Sequence, residues 1–227
     1  MPLIRNLLLG LGIALLAVPA AAELSISQLV VELKPGAARA ADLEVFNDSP
    51  ERSYVSVEPR EILGAGTAEE KPLTSPDPDK LGLLASPARM VLEPGQRRRL
   101  RIAYIGAEGS AERVYRVTVK PVSGEVKSEE NGLKLLVGYD LLVLVRPATI
   151  ATDIAGTRSG SELVLTNRGT SSVELADGKQ CDADGKNCQP LPGKRLYAGA
   201  SWRQPVRVSA KIEYRARSAS GWSVVKF

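Results

Sequence analysis

The sequence predicts an all-β chain of two β-sandwich domains, and three observations carry the prediction. Short runs of β-branched and alternating residues recur at close spacing, separated by Gly, Pro, Asn and Asp, which is the pattern of a sandwich or barrel. After the first two dozen residues no segment shows the periodicity of an amphipathic helix. The longest β-type run, Gly132 to Val145, is stopped at Arg146-Pro147, and a second strand series follows it.

In chain order, Leu24 to Leu33 reads as one β-run closed by the turn Lys34-Pro35-Gly36. Ala40 to Phe46 and Ser53 to Val57 alternate around the turn cluster Asn47-Asp48-Ser49-Pro50. Glu61 to Ser86, with its prolines and glycines, reads as an extended loop with a short helical turn near Lys80–Leu84. Met90 to Leu92, Leu100 to Ile105 and Val114 to Val119 complete the first series. The second comprises Glu162–Thr166, Val173–Leu175, Arg195–Tyr197, Ser201–Val208, Ile212–Arg215 and Trp222–Lys226. Asn167-Arg168-Gly169 matches the turn role of Asn47-Asp48-Ser49. The expected division is therefore 1–22 as a leader, 23–145 as the first domain and 146–227 as the second. So short a linker fixes an angle and leaves a cleft, a common place for ligands.

The leader reading rests on Arg5, the apolar run Leu7 to Val18 and the small residues Ala20-Ala21-Ala22 before Glu23, the order of a secretory signal peptide. The apolar run is well short of the roughly 20 residues that cross a bilayer. Cys181 and Cys188, the only two cysteines, are separated by six residues. In an oxidising compartment such a pair closes a hairpin disulfide. The chain has no histidine, so Ser–His and Cys–His nucleophilic pairs are excluded. No catalytic residues, metal ligands or cofactors are assigned. A glycan hydrolase needs paired acids in an aromatic cleft, and Trp202 and Trp222 lie outside any acidic motif. The net charge of +4 gives no reason to expect nucleic acid.

Several segments, in this order, resemble the periplasmic pilus-assembly chaperones of the chaperone–usher pathway. They are LVVELKPG with LEVFNDSPERSYVSVE, SPARMVLEPGQRRRLRI, VYRVTVKPV, the long strand closing in Val-Arg-Pro, LVLTNRGTSSVEL and GKRLYAGASW. The resemblance implies two immunoglobulin-like domains arranged as an L with a cleft between them, and a periplasmic location. It implies a non-enzymatic chaperone that lends a strand to a pilus subunit, caps it and delivers it to an outer-membrane usher. A secreted structural or adhesive β-sandwich of a pilus system is the alternative, disfavoured by the two strand series around Val-Arg-Pro.

Strand lending is strand addition: main-chain hydrogen bonds hold the client and alternate side chains fill its pockets. Leu133, Leu135 and Val137 share one parity, continued by Tyr139 and Leu141, and are the expected subunit-binding residues together with Tyr139. The opposite parity, Lys134, Leu136, Leu142 and Leu144, is expected to meet the first domain's own core in its later part. The exposed edge of this strand also offers a route to self-association. The family anchors the client's C-terminal carboxylate on two basic residues, but Val30 and Leu142 stand at those positions here. Arg89, Arg101 and Arg116 are the substitutes considered, with Arg89 and Arg116 favoured. Arg146 is expected to pair structurally with a carboxylate across the two domains, and Arg97-Arg98-Arg99 reads as a solvated turn.

Overall fold

The computed structural model describes residues 24–36, 39–122 and 136–227. The expected leader, Leu133 and Leu135 lie outside the described residues. In the first domain the strands are β1 (Leu24–Ile26), β2 (Val30–Leu33), β3 (Ala40–Asn47), β4 (Ser53–Leu63) and β5 (Lys71–Leu73). They continue as β6 (Leu83–Ser86), β7 (Arg89–Leu92), β8 (Arg97–Tyr104), β9 (Arg113–Pro121) and β10 (Tyr139–Val145). One sheet runs β1-β3-β8-β6, and the facing sheet runs β2-β10-β9-β4-β5 with β7 also on β4. Alternating residues of both sheets, Leu43, Val45, Leu100 and Ile102 against Val55, Val57, Val117, Val119, Leu141 and Val143, close one core. Fully burying each such side chain contributes about 1.5–3 kcal/mol before ordering costs.

Two sequence expectations change here. The run Leu24–Leu33 is two strands in different sheets: β1 is antiparallel to β3, while β2 is parallel to β10. The crossing occurs at Ser27–Leu29, where Leu29 is exposed. Periodicity cannot reveal such a switch, because both halves keep β character. Nor is Glu61–Ser86 an extended loop. β4 runs on to Leu63, β5 pairs with its end, and β6 joins β8. The helical turn is α1 (Pro78–Leu81), capped by the Asp77 carboxylate and ended by Gly82 at φ 77°. Proline and glycine density hid strands that neighbouring strands hold in place.

The second domain contains β11 (Ile154–Ser159), β12 (Glu162–Asn167), β13 (Val173–Cys181), β14 (Gln189–Leu191) and β15 (Lys194–Leu196). It ends in β16 (Ser201–Pro205), β17 (Lys211–Ser218) and β18 (Gly221–Lys226). Its sheets run β11-β12-β16 and β14-β13-β17-β18, with β15 also on β13. They close over Leu163, Leu165, Val173, Leu175, Ile212 and Tyr214. Cys181 and Cys188 form a disulfide. Arg207 ties the same loop to the domain, donating from Nη1 to Asp182 at 3.1 Å and from Nη2 to the Asn187 carbonyl at 2.9 Å.

The matched turns are matched in detail. Asn47 and Asn167 are both fully buried. Asn47 Nδ2 donates to the carbonyls of Glu51 (2.7 Å) and Leu92 (3.1 Å), and its Oδ1 accepts from Ser49 N (3.1 Å). Asn167 Nδ2 donates to Ser171 O and Leu196 O, both at 2.9 Å, and its Oδ1 accepts from Gly169 N at 2.9 Å. Each asparagine thus satisfies backbone groups that would otherwise be orphaned where strands leave the sandwich. Asn47→Ala and Asn167→Ala are each expected to cost about 1–3 kcal/mol, because buried carbonyls lose their donors. Urea unfolding of each variant measures this, and a cost within experimental error for both would refute the role.

Between the domains, Ala65, Val114, Leu142 and Leu144 form a small apolar cluster with Ile62 and with Tyr197 of the second domain. Gly66, at φ 74°, lets the β4–β5 turn approach: a Cβ there would sit 3.1 Å from the Tyr197 ring. Arg146 lies beneath, with its side chain 1% exposed. It binds Glu112, whose side chain is also 1% exposed, and reaches Glu32 at 3.0 Å. It also donates to the hydroxyls of Ser171 (2.6 Å) and Ser172 (3.3 Å). Arg146, the first residue of the second domain in the expected division, thus reaches back across the boundary. Both carboxylates belong to the first domain, and the second contributes hydroxyls, which form a cheaper buried contact than another charge.

Candidate functional site: an open strand edge beside an arginine pair

Strand β10 is paired unevenly. On one side β9 accompanies it from Tyr139↔Val119 to Val145↔Arg113. On the other, β2 joins only from Val30↔Leu142 onward. Among the described residues no strand pairs with that side before Leu142. The Leu142 N–H points to this side, donating to Leu29 O at 2.9 Å. By the period of two, Asp140 turns its N–H and C=O the same way, onto the open edge. Gly138 keeps the approach close: a Cβ there would lie 2.9 Å from Lys120 Cβ.

The faces of β10 are the reverse of the sequence expectation. Leu141, Val143 and Val145 enter the first domain's core, with Tyr139 packed against it. Leu142 and Leu144 face outward, under Tyr197. The expectation failed because both faces are apolar, so only the location of the second domain separates them. By sequence number Leu133, Leu135 and Val137 share the parity of these core residues. Val137, the member of this set that is described, is 49% exposed.

Along the outward face the pairing register sets Val30, Leu142, Arg116 and Arg60 in one row across four strands. Asp140 and Thr118 stand in the row below. Arg60 Nη2 donates to both Asp140 carboxylate oxygens at 2.9 Å, and its Nη1 donates to Thr118 Oγ1 at 2.7 Å. Thr118 Oγ1 in turn donates to Asp140 Oδ1 at 3.0 Å. Arg116 is held more loosely, its Nη1 3.5 Å from the Asp140 carbonyl and its Nε 3.9 Å from Asp140 Oδ2. Its guanidinium thus reaches across β10 towards the open edge. Nearby, Lys120 donates to Glu58 at 2.9 Å and holds that carboxyl below its usual range.

The other expected site residues fall elsewhere. Arg89 pairs opposite Ser56 on β7, two strands and four residues from Arg116, on the order of 15 Å away by strand spacing. Arg101 lies in the other sheet against Asp42 and does not border the cleft. The Tyr139 hydroxyl donates to Leu24 O at 2.7 Å, which commits that side chain to its own domain. Sequence reasoning missed Arg60. Its parity with Ser56 and Glu58 was readable, but its neighbours across the sheet were not.

A family model described as pili and flagellar-assembly chaperone, PapD N-terminal domain, matches residues 23–151. The chain belongs to this family. The chaperone is 26% identical over 206 residues to a CS1 fimbrial protein of Escherichia coli, covering 85% of each chain. Its fold matches the crystal structure of the class 5 fimbriae chaperone CfaA with a TM-score of 0.68, at 20% identity, covering 89% of this chain and 98% of that one. It also matches a structure of the Salmonella enterica SafA pilin in complex with the SafB chaperone, with a TM-score of 0.63, at 19% identity, covering 90% and 95%. Val30 and Leu142, the positions where the resemblance implies a basic anchor, are direct register partners. The cationic side chain next in that row is Arg116, one strand over from Leu142.

Proposed function

We propose that this chaperone works in the periplasm, binds pilus subunits by strand addition along the open edge of β10, and passes them to an outer-membrane usher. The observation that carries the reading is the uneven pairing of β10. Main-chain groups at Asp140 are turned outward just where the parity of Leu133, Leu135 and Val137 runs out of the chaperone's own core. A client strand paired there would continue the chaperone's sheet, and those three side chains would complete the client's core. The proposed boundary between the domains is at Arg146, and the contact of Leu142 and Leu144 with Tyr197 supports a client site bordered by both domains.

Within this reading Arg116 anchors the client's C-terminal carboxylate. Its guanidinium lies beside Leu142 on the outward face of β10 and, among the described residues, makes only long contacts. Arg89 is left as a rim residue. Co-expression with a pilin of the same pilus system, followed by purification from the periplasm, should yield a one-to-one complex. Arg116→Ala should lower the recovered complex about tenfold, the effect of losing a charge-assisted, partly desolvated contact, and Arg89→Ala should change it little. Equal recovery with Arg116→Ala would remove Arg116 as the anchor. Absence of any complex with the wild-type protein would overturn the strand-addition reading itself.

A further inference from the structure

We propose that Asp140 is an internal competitor for the client carboxylate, built into the client-binding strand to keep capture reversible. The inference rests on the reading of Arg116 as the anchor and adds to it a residue that opposes binding.

Asp140 stands on β10 itself, two residues before Leu142, and its side chain lies on the cleft face with Arg116 and Arg60. Its carboxylate accepts from Arg60 Nη2 through both oxygens and from the Thr118 hydroxyl. Two cationic side chains and a hydroxyl around one carboxylate form the donor set that a chain terminus would need. In the free chaperone that set is already turned onto an acid of the same chain. Arg60 is satisfied by it, whereas Arg116 remains at 3.5–3.9 Å with donor capacity to spare.

An arriving carboxylate at Arg116 therefore meets a reduced positive potential and a like charge on the neighbouring row. The side chains of Arg60, Arg116 and Asp140 are 29%, 35% and 42% exposed, so solvent screens the opposition without removing it. A chaperone must surrender its client, and an anchor of two unopposed arginines would hold it more tightly. Asp140 sets the strength of the anchor without altering the apolar strand that fixes register.

The probe is a synthetic peptide of the last ten residues of the co-purified pilin, made as the free acid and as the C-terminal amide. Calorimetric titration into full-length mature chaperone gives the acid-to-amide affinity ratio. Asp140→Asn should raise that ratio about fivefold over wild type, because Arg60 is freed and the like charge is gone. It should also slow release of the intact pilin by a similar factor, with the melting temperature little changed. Asp140→Ser provides a second removal of the charge in case the asparagine disturbs packing. If both variants leave the ratio unchanged or lower it while Arg116→Ala abolishes it, Asp140 is not a competitor and only this inference falls. If the wild-type chaperone shows no preference for the acid, the Arg116 anchor falls and takes the competitor with it.

Discussion

Replacing Leu135 with Asp is expected to abolish recovery of the pilin with the chaperone while leaving the chaperone folded. The pilin pocket that receives this side chain is apolar in the strand-addition reading. A carboxylate entering it loses its hydration with no partner to offset the loss. The lost leucine burial alone contributes about 1.5–3 kcal/mol, and every 1.4 kcal/mol is about tenfold in affinity. The combined loss should exceed a hundredfold. Among the described residues the chaperone's own core takes its β10 residues from Tyr139 onward, and a melting temperature close to that of the wild type is the control that separates lost binding from lost folding. Lys134→Asp, of opposite parity, is the control and should reduce recovery only slightly. Wild-type recovery with Leu135→Asp would show that this segment is not the lent strand.

The second large effect is expected at Arg146. Arg146→Ala strands the Glu112 carboxylate, which is 1% exposed and otherwise retains Ser171 as its hydrogen-bond donor, at 2.9 Å. Breaking a buried pair by removing one partner costs about 3–5 kcal/mol. For a chain of this size that corresponds to a fall of roughly 10 °C in melting temperature. The double change Arg146→Met with Glu112→Leu should restore most of the stability, since an apolar pair avoids the desolvation of both charges. It should not restore the junction, because Ser171 then loses its hydrogen bond to Glu112 across the domains and residue 146 no longer reaches Glu32. Small-angle scattering should report a broadened distribution of interdomain distances in both variants. A cost below about 1 kcal/mol for Arg146→Ala would mean that Glu112 finds water or another donor, and that the pair is not needed to hold the domains.

Much of the architecture was legible because β-strands write their environment into the chain every second residue. The runs that became β3, β8 and β9 were read as strands, and Asn47 and Asn167 marked equivalent corners of the two sandwiches. The hairpin cysteines were likewise readable from spacing. Strands apolar on both faces were ambiguous. For β10, periodicity could not say whether Leu141 or Leu142 pointed inward. The short strands β5 and β6 were concealed because their pairing comes from neighbours distant in sequence and not from their own propensity.

For the candidate site, the sequence by itself determined which side chains share a parity. Leu133, Leu135 and Val137 alternate in any fold that extends them, and Val30 and Leu142 carry no charge whatever surrounds them. Only the tertiary structure decided where a charge could come from instead. Arg60, Arg116 and Asp140 lie far apart along the chain, yet the register of β4, β9 and β10 sets them side by side. The physical reason is that side-chain direction is local, fixed by the backbone period, whereas adjacency across a sheet depends on which strands pair and in what register, and that is settled only when the whole sandwich closes on its core.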